Sequence, residues 1–377
     1  MVPYTTMIHI ADIHFGCVDP IAELEILKTQ FLTPISRIVF DILAIDGDLF
    51  DRRFSANHPA ITAAIEFVNR CAMLCVMRGA TLVLISGTES HDAGQLSLFY
   101  NMRDLFSNLD IRIVEKTQFI ETHGLKILCI PEEYGKGTAY YEMFLKQTYD
   151  TVFMHGTLVG GIPGATKEDL DAKREPVFSI DSFSGCKGPI ISGHVHTAMC
   201  LQQHMYYLSS PIRYRFGEEA EKGYAIVLLN RDYRYLYQFM PIQSYRYDTI
   251  NVKDLSMSDP NQIIQYLNRL KANGVDHIRL NCSSMPAYQV AILSKYVREN
   301  PSSNIKLQNA TMAMNQNGEI VSSELDNEQV EKLDKLKFLL DDRIDEITKF
   351  VMYLNYNEGS EYMTVDRLKQ LLTSDKM

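Results

Sequence analysis

Histidine and acidic residues recur in five short segments, each directly after an apolar run that predicts a buried strand. In chain order the segments read ADIH at 11–14, GDLFD at 47–51, GTESHD at 87–92, HG at 155–156 and GHVH at 193–196. Mixed imidazole and carboxylate ligands are typical of Mn, Fe and Zn. One such segment is a weak signal, but five in this order and spacing indicate a metal centre.

The residue types suit a pair of metal ions that acts on phosphate esters. Two divalent ions about 3.5–4 Å apart can activate a water and hold the attacking and leaving oxygens of a displacement at phosphorus. A carboxylate must bridge the two ions, and we expect Asp48 in that role because Gly47 before it permits a tight turn. The histidines outside the five segments lack this context, and we interpret them as ordinary core or surface residues: His9, His58, His123, His204 and His277.

Strands and helices alternate through the first part of the chain. The predicted strands are Met7–Ala11, Ile42–Ile45, Thr81–Ile85, Ile127–Ile130, Thr151–Met154 and Pro189–Ile191. The predicted helices between the early strands are Pro20–Val39, His58–Met77 and Gly94–Phe106. This alternation favours an α/β core whose first strands are parallel, so that the five segments meet at the carboxyl ends of the strands. Later stretches at 204–208, 223–229 and 233–240 predict consecutive strands, antiparallel in part.

These patterns divide the chain into three predicted parts. Residues 1–241 form the predicted main domain, and 242–247 form a linker. Residues 248–312 predict a small βαβαβ domain, with a helix that opens at Asp259-Pro260. Residues 326–377 predict C-terminal helices, of which the first carries an apolar stripe made of Val330, Leu333, Leu340, Ile344, Ile347, Val351 and Leu354.

Composition sets wide limits. The chain of 377 residues is 46% hydrophobic and 22% charged, as expected for a globular protein. Its formal net charge of −10 argues mildly against nucleic-acid binding, but bound metal ions would supply local positive charge. Seven scattered cysteines without a CxxC pair indicate reduced thiols. With no apolar run of membrane-spanning length and no secretory signal, we expect a cytoplasmic protein.

The five segments resemble the signature blocks of calcineurin-like metallophosphoesterases, which are DxH, GDxxD, GNHD, a single H and GHxH. Further stretches resemble the SbcD-type DNA double-strand-break repair nucleases: DIHFG at 12–16, GDLFD at 47–51, SPIR at 210–213, FGEE at 216–219 and KGY at 222–224. The resemblance covers residues 5–240 well and the rest by position and size only. It implies a two-sheet α/β sandwich core, a small α+β capping domain and C-terminal helices.

The resemblance also implies roles for individual residues. One ion would be held by Asp12, His14, Asp48 and His196, and the other by Asp48, Ser90, His155 and His194, with Mn as the expected metal. His91 would steady the scissile phosphate and assist the leaving group, and Asp51 would orient its imidazole. The implied activity is that of a metal-dependent DNA exonuclease and endonuclease subunit.

The third block departs from this pattern. GTESHD at 87–92 has two extra residues and lacks the asparagine whose amide oxygen would bind the second ion. Ser90 precedes the histidine, Thr88 follows the glycine, and Glu89 offers a carboxylate, so each is a candidate replacement. We expect a weaker or altered second site. The altered block and the short chain look most like phage-encoded members, which would place the protein in a host cytoplasm.

The resemblance implies two macromolecular partners. The small domain would contact DNA ends, and the apolar stripe of the C-terminal helix would dock on the coiled coil of an SbcC-like ATPase. Alternatively, that stripe packs on its own nuclease domain. A homodimer is expected through the apolar helix at 61–74, which alternatively belongs to the core. Candidate contacts to the DNA backbone are Arg52, Arg53, Lys173, Arg174, Arg213 and Arg215.

Two other functions fit the same residues. The chain could hydrolyse nucleotides, phosphoproteins or small phosphate esters, because the surroundings of a site rather than the fold decide its substrate. It could also be a non-catalytic scaffold for the ATPase, in which the altered third block leaves one structural ion. Metal content separates the last alternative, since two bound ions would exclude it.

Overall fold

The computed structural model describes residues 4–161, 176–202, 204–283, 285–308, 313–314 and 320–321. These residues fall into two units. The first extends to Asp248 and includes Asn273–His277, and the second comprises Thr249–Ala272 and the residues from Ile278 onward. The predicted C-terminal helices at 326–377, with their apolar stripe, lie outside the described residues.

The first unit contains two six-stranded sheets. The strands in chain order are β1 (Tyr4–Ile10), β2 (Ile42–Asp46), β3 (Thr81–Ile85), β4 (Asp110–Val114), β5 (Gln118–Thr122), β6 (Leu125–Ile130), β7 (Thr151–His155), β8 (Thr157–Leu158), β9 (Val177–Phe178), β10 (Ile190–Gly193), β11 (Met199–Gln202), β12 (Met205–Tyr207), β13 (Lys222–Asn230) and β14 (Tyr235–Ile242). One sheet has the order β14-β13-β1-β2-β3-β4 and the other β11-β12-β10-β7-β6-β5. The six strands predicted first are all present.

The order of the strands explains why the early loops share one edge. β1, β2, β3 and β4 are mutually parallel, as are β6, β7, β10 and β12. The carboxyl ends within each parallel set therefore lie at one edge of its sheet. The antiparallel strands are β13 and β14 in the first sheet, and β5 and β11 in the second.

Apolar side chains from both sheets form the core of the sandwich. Met7, Ala44 and Val83 of the first sheet belong to the same buried cluster as Ile127 and Phe153 of the second. The opposite face of the first sheet packs on helices. Every other residue of the strands points to this side and belongs to a second buried cluster. The structure is thus the two-sheet α/β sandwich expected from the sequence.

Among the described residues of the first unit, the α-helices of eight or more residues are α1 (Pro20–Leu27), α2 (Pro59–Arg78) and α3 (Thr138–Leu145). Among the described residues, only α2 has the length and apolar content of a membrane span, and half of that stretch is buried inside the protein. Its Phe67 and Cys71 are fully buried, whereas Met73 and Met77 are exposed. Burial of this kind is what the core helix of a folded domain shows.

Two predicted helices are interrupted. The stretch predicted as Pro20–Val39 passes from α1 into a π-helical turn at Lys28–Leu32 and ends at Ile35. Pro34 lacks an N–H and crowds the carbonyl four residues earlier, which favours a widened turn before it. The stretch predicted as Gly94–Phe106 contains a 3₁₀ segment at Gln95–Phe99 and one helical turn at Met102–Leu105.

Pattern analysis also missed or misplaced several elements. It did not predict β4, β5, β11 or α3. The later strands were predicted as consecutive neighbours, but β12 joins the second sheet while β13 and β14 join the first. β14 pairs antiparallel with its sequence neighbour β13, as predicted, but β13 also pairs with β1, which is distant in sequence.

The second unit agrees with the predicted βαβαβ pattern. Its elements are β15 (Tyr247–Asn251), α4 (Pro260–Ala272), β16 (His277–Asn281), α5 (Ala287–Glu299) and β17 (Ile305–Gln308), of which the first residues of β15 and β16 are counted with the first unit. The three strands form a sheet in the order β15-β16-β17, with β16 and β17 parallel. A short antiparallel pair, β18 (Ala313–Met314) and β19 (Ile320–Val321), follows.

The buried face of α2 should dominate its contribution to stability. We expect Phe67→Ala to lower the free energy of unfolding by about 3–5 kcal/mol, because the side chain is fully buried and its loss leaves a cavity. Met73→Ala is the control on the same helix, since Met73 is 53% exposed and should cost within about 0.5 kcal/mol. Urea denaturation measures both, and equal costs would contradict this packing.

Candidate metal centre

The five predicted loops meet where the carboxyl edges of the two sheets adjoin. Backbone and side-chain hydrogen bonds join loops from different sheets: the His194 N–H donates to both carboxylate oxygens of Asp12, at 2.9 and 3.1 Å. His155 Nδ1 donates to the Asp46 carbonyl oxygen at 2.9 Å. The side chains that lie between the sheets therefore form one buried cluster.

One group of potential ligands comprises Asp12, His14 and His196. The Nε2 atoms of His14 and His196 are 3.0 Å apart, and Asp12 Oδ1 lies 4.0 Å from His196 Nε2. Asp48 Oδ2 is 3.6 Å from His14 Nε2. These are the four residues that the sequence predicts around the first ion, and they converge.

A second group comprises Glu132, His155 and His194. Glu132 Oε2 lies 3.4 Å from His194 Nδ1 and 3.8 Å from His155 Nε2. The same His155 nitrogen is 3.3 Å from Asp48 Oδ2, so Asp48 stands between the two groups. This is the position that a bridging carboxylate needs.

Backbone strain is concentrated at these residues. Asp12, His14 and Asp48 have φ of 53°, 51° and 52°, and His194 has φ of 92°. Side-chain-bearing residues rarely adopt the left-handed region, and where they do the surrounding structure imposes it, often at functional sites. The loop conformations therefore place these side chains at an energetic cost.

Three glycines allow the loops to approach one another. A Cβ on Gly47, which has φ of +91°, would lie 2.1 Å from His155 Nδ1. A Cβ on Gly87 would lie 2.1 Å from Asp48 Oδ1, and one on Gly193 would lie 2.4 Å from the Asp46 carbonyl oxygen. Each glycine precedes one of the loops and leaves room for a group from another strand.

The electrostatics are those of a site built for cations. Burial by itself lowers the pKa of His155, but the carboxylates of Asp48, Asp12 and Glu132 raise it well above the ordinary value. Burial lowers the pKa of His14 to about 3, which keeps that imidazole neutral and able to donate a lone pair to a metal. Burial also raises the pKa of Asp12.

The arrangement fits metal ions better than internal hydrogen bonding. His155 Nε2 is buried and, within the described part of the chain, lies in hydrogen-bonding geometry with no other group, although carboxylates surround it. A ring nitrogen that is aimed between several carboxylates suits a shared cation. The His, Asp and Glu side chains here could thus hold divalent metal.

The third loop supplies less than the sequence predicts. His91 lies beside the first group, with its ring 4.7 Å from that of His14. Its Nδ1 donates to the backbone carbonyl of Asp51, so Asp51 positions the imidazole through its main chain, while its carboxylate lies near both rings. Ser90 and Glu89 are both exposed, and Glu89 belongs to neither described group of ligands.

Glu132 is the residue that sequence analysis missed. It follows the predicted strand Ile127–Ile130 by two positions, in the sequence PEE at 131–133. The same rule that identified the other loops, an acidic or imidazole side chain directly after a buried strand, would have selected it. Its side chain is fully buried.

A further layer supports His196 from behind. Glu218 Oε1 lies 3.5 Å from His196 Nδ1, and the buried Lys222 ammonium lies 3.1 Å from Glu218 Oε2 and donates to the His196 carbonyl at 2.7 Å. Burial opposes ionisation of Glu218, but His196, the Tyr214 N–H and Lys222 outweigh it and lower the pKa to about 2. The FGEE and KGY stretches thus fix one of the predicted ligands.

The predicted DNA-contacting arginines differ in their surroundings. Arg52 and Arg53 directly follow Asp51 and are exposed, as is Arg215. Arg213 donates instead to the carbonyls of Glu218, Glu219, Ala220 and Tyr245, and so it holds the loop that carries Glu218. Lys173 and Arg174 lie outside the described residues.

Two viral proteins resemble this chain in sequence, and no family model matches it. It is 23% identical over 229 residues to "Putative phosphoesterase 244L" of Invertebrate iridescent virus 6, which covers 59% of this chain and 76% of that protein. It is 25% identical over 242 residues to "Putative phosphoesterase 078R" of Invertebrate iridescent virus 3, where it spans 62% of the relative's length. Both of these relatives are named as phosphoesterases.

Solved structures resemble it only remotely. The cold-active protein-tyrosine phosphatase of a Shewanella species aligns over 63% of this chain and 81% of its own, with 13% identity and a TM-score of 0.30. A predicted phosphoesterase from Streptococcus pneumoniae TIGR4 aligns over 63% and 99%, with 12% identity and a TM-score of 0.24. Superpositions this poor carry no functional conclusion.

Gly47 gives a direct test of the packing between the loops. Gly47→Ala should destabilise the protein by at least about 1–2 kcal/mol from the left-handed conformation alone, and it should displace His155 and weaken Mn²⁺ binding. Gly137→Ala is the control, because its Cβ would meet nothing within 4 Å. Thermal unfolding and calorimetric titration with MnCl₂ measure the two effects. Normal Mn²⁺ affinity in Gly47→Ala would contradict the close approach of these loops.

Proposed function

We propose that the protein is a metal-dependent DNA nuclease subunit that hydrolyses phosphodiester bonds at double-strand ends, as exonuclease and endonuclease. The proposal rests chiefly on one observation, the convergence of Asp12, His14, Asp48, His155, His194 and His196 in a single buried cluster. The named phosphoesterases among its relatives support hydrolysis of phosphate esters. The DNA substrate comes from the SbcD-type stretches of the sequence.

In this proposal each group of ligands holds one divalent ion, with Mn expected. Two such ions supply an activated water and neutralise the charge that develops on the phosphate. His91 is the residue placed to act on the leaving group, because its Nδ1–H is engaged with the Asp51 carbonyl and its Nε2 is left for the substrate. When Nε2 carries a proton, it can donate that proton to the leaving oxygen.

An open cavity of about 570 Å³ adjoins the cluster and offers room for a nucleic-acid strand. Its walls include His194, His196, Phe216 and Glu218, with Arg215 exposed beside them. Arg52 and Arg53 carry exposed positive charge next to Asp51. We infer that these arginines contact the DNA backbone, although the chain as a whole is acidic.

The proposal includes an ATPase partner and a homodimer in the cytoplasm. An SbcC-like coiled-coil ATPase would bind the apolar stripe of the C-terminal helix. The exposed Met73 and Met77 of α2 line a cavity of about 310 Å³ with Leu32 and Leu74, and this surface suits contact with a second copy.

A phosphoesterase that acts on nucleotides or phosphoproteins is the second candidate, since it would use the same metals. Cleavage of linear duplex DNA and of a small phosphodiester in MnCl₂ separates the two. We expect faster cleavage of the DNA ends than of the small ester, and no cleavage in EDTA. Hydrolysis of the small ester alone would favour the second candidate, and wild-type protein that binds fewer than two ions would favour the scaffold.

His91→Ala should reduce cleavage of linear duplex DNA by about 10²–10⁴-fold, because the leaving group loses its proton donor. DNA and Mn²⁺ affinity should stay near wild type, since His91 is not among the proposed ligands. His204→Ala is the matched control, because His204 is exposed on the turn between β11 and β12. Unchanged cleavage by His91→Ala would refute the assigned role.

We expect the exposed arginines to bind DNA through their positive charge. Arg53→Ala should weaken DNA binding to a similar extent for any sequence and reduce the dependence of log affinity on log salt concentration by about one. Arg231→Ala, an exposed arginine at the turn between β13 and β14, is the control. Fluorescence anisotropy at several salt concentrations measures the slope. An unchanged slope for Arg53→Ala would remove this contact from the proposal.

A further inference from the structure

We propose that Glu132 is a direct metal ligand that completes the second site together with Asp48, His155 and His194. In this assignment, no side chain of residues 88–90 binds the ion. The inference rests on the proposed two-metal function and specifies the chemistry of one of its sites.

The spacing of the donor atoms suits one cation. Metal–ligand bonds of about 2.1 Å in a tetrahedral site put neighbouring ligand atoms roughly 3.4 Å apart. Glu132 Oε2 lies 3.4 Å from His194 Nδ1, and Asp48 Oδ2 lies 3.3 Å from His155 Nε2. The distance of 3.8 Å from Glu132 Oε2 to His155 Nε2 is only slightly longer. Ligand atoms of Glu132, His155 and His194 thus lie within 4.8 Å of one another, and Asp48 adjoins them through His155 Nε2.

An independent observation also points to a ligand at this position. His155 Nε2 belongs to a fully buried side chain and makes no hydrogen bond with any described residue, although Asp48 and Glu132 are both near it. Burying an imidazole nitrogen without a hydrogen-bond partner costs free energy unless another group, such as a metal ion, binds it. A divalent ion between the two carboxylates would occupy it.

The third loop has a supporting role in this arrangement. The Thr88 hydroxyl donates to Glu132 Oε2 at 2.9 Å and lies 3.3 Å from Asp48 Oδ2. The Thr88 N–H donates to Asp48 Oδ1 at 2.7 Å. Thr88 thus orients two carboxylates, as residues behind a metal ligand commonly do. Ser90 and Glu89 are exposed, whereas the side chain of Glu132 is fully buried.

The charge of Glu132 changes the balance of the centre. Asp12, Asp48 and Glu132 place three negative charges against the four positive charges of two divalent ions. A neutral ligand in place of Glu132 would leave the filled site more positive and would bind the second ion less tightly. An added carboxylate also favours oxygen-preferring ions such as Mn²⁺ and Mg²⁺.

Calorimetric titration of the EDTA-treated full-length chain with MnCl₂ tests the assignment. Wild type should bind two Mn²⁺ ions. Glu132→Gln keeps the size of the side chain and removes its charge, and it should weaken one of the two sites by roughly 10–100-fold or more. Glu121→Gln removes an equal charge from an exposed position on β5 and should leave both sites unchanged. Ser90→Ala and Glu89→Gln should also bind as wild type does.

The outcomes separate this inference from the function that it builds on. Wild-type protein that binds fewer than two ions would overturn both. Two ions in wild type and unchanged affinities in Glu132→Gln would overturn the ligand assignment alone, as would loss of a site in Ser90→Ala or Glu89→Gln. Circular dichroism in EDTA checks folding of each variant. If Glu132→Gln does not fold, Glu132→Asp replaces it: the charge remains but is drawn back, so weakened binding at one site supports the assignment and unchanged binding overturns it.

Discussion

Repulsion among buried carboxylates is the interaction on which the centre depends. Two like charges at about 4 Å repel by roughly 4 kcal/mol when the effective dielectric constant is near 20. Asp12, Asp48 and Glu132 are all buried around His155. Backbone N–H groups and the Thr88 hydroxyl offset part of this repulsion. Divalent ions would offset the rest, so the same charges that destabilise the metal-free protein create its affinity for metal.

Holding these groups together requires an unusual backbone. Left-handed φ angles at Asp12, His14, Asp48 and His194 aim side chains inward from strands that end side by side. Such conformations persist only when packing around them is strong, and the apolar layer between the two sheets supplies that packing. The glycines before three of the loops serve the same purpose, since a Cβ would collide with a group from another strand. The packing of the core therefore holds the candidate ligands in these strained conformations.

Support for the centre extends beyond the potential ligands. Glu218 contacts His196, and Lys222 contacts both of these residues. Arg213 donates a hydrogen bond to the backbone carbonyl of Glu218. The Tyr214 hydroxyl oxygen lies 3.1 Å from both the Asp12 carbonyl oxygen and a carboxylate oxygen of buried Glu23. These contacts explain why the stretch at 210–224, outside the five loops, carries so many polar residues. Under the proposed function, the surroundings of the site rather than its metals would set the substrate preference, and the cavity beside this stretch adjoins the site.

The sequence by itself determined the α/β class, the first six strands and six residues that meet at the centre, since strand ends and their first polar residues follow from local patterns. Only the tertiary structure decided that Glu132 belongs with His155 and His194, while Ser90 faces solvent. Local patterns could not predict the order of the strands either, because β13 pairs with β1, which lies more than two hundred residues earlier in the chain. Which carboxylate could bind a shared cation depends on the distances between side chains of separate loops. Only the folded structure brings these loops together.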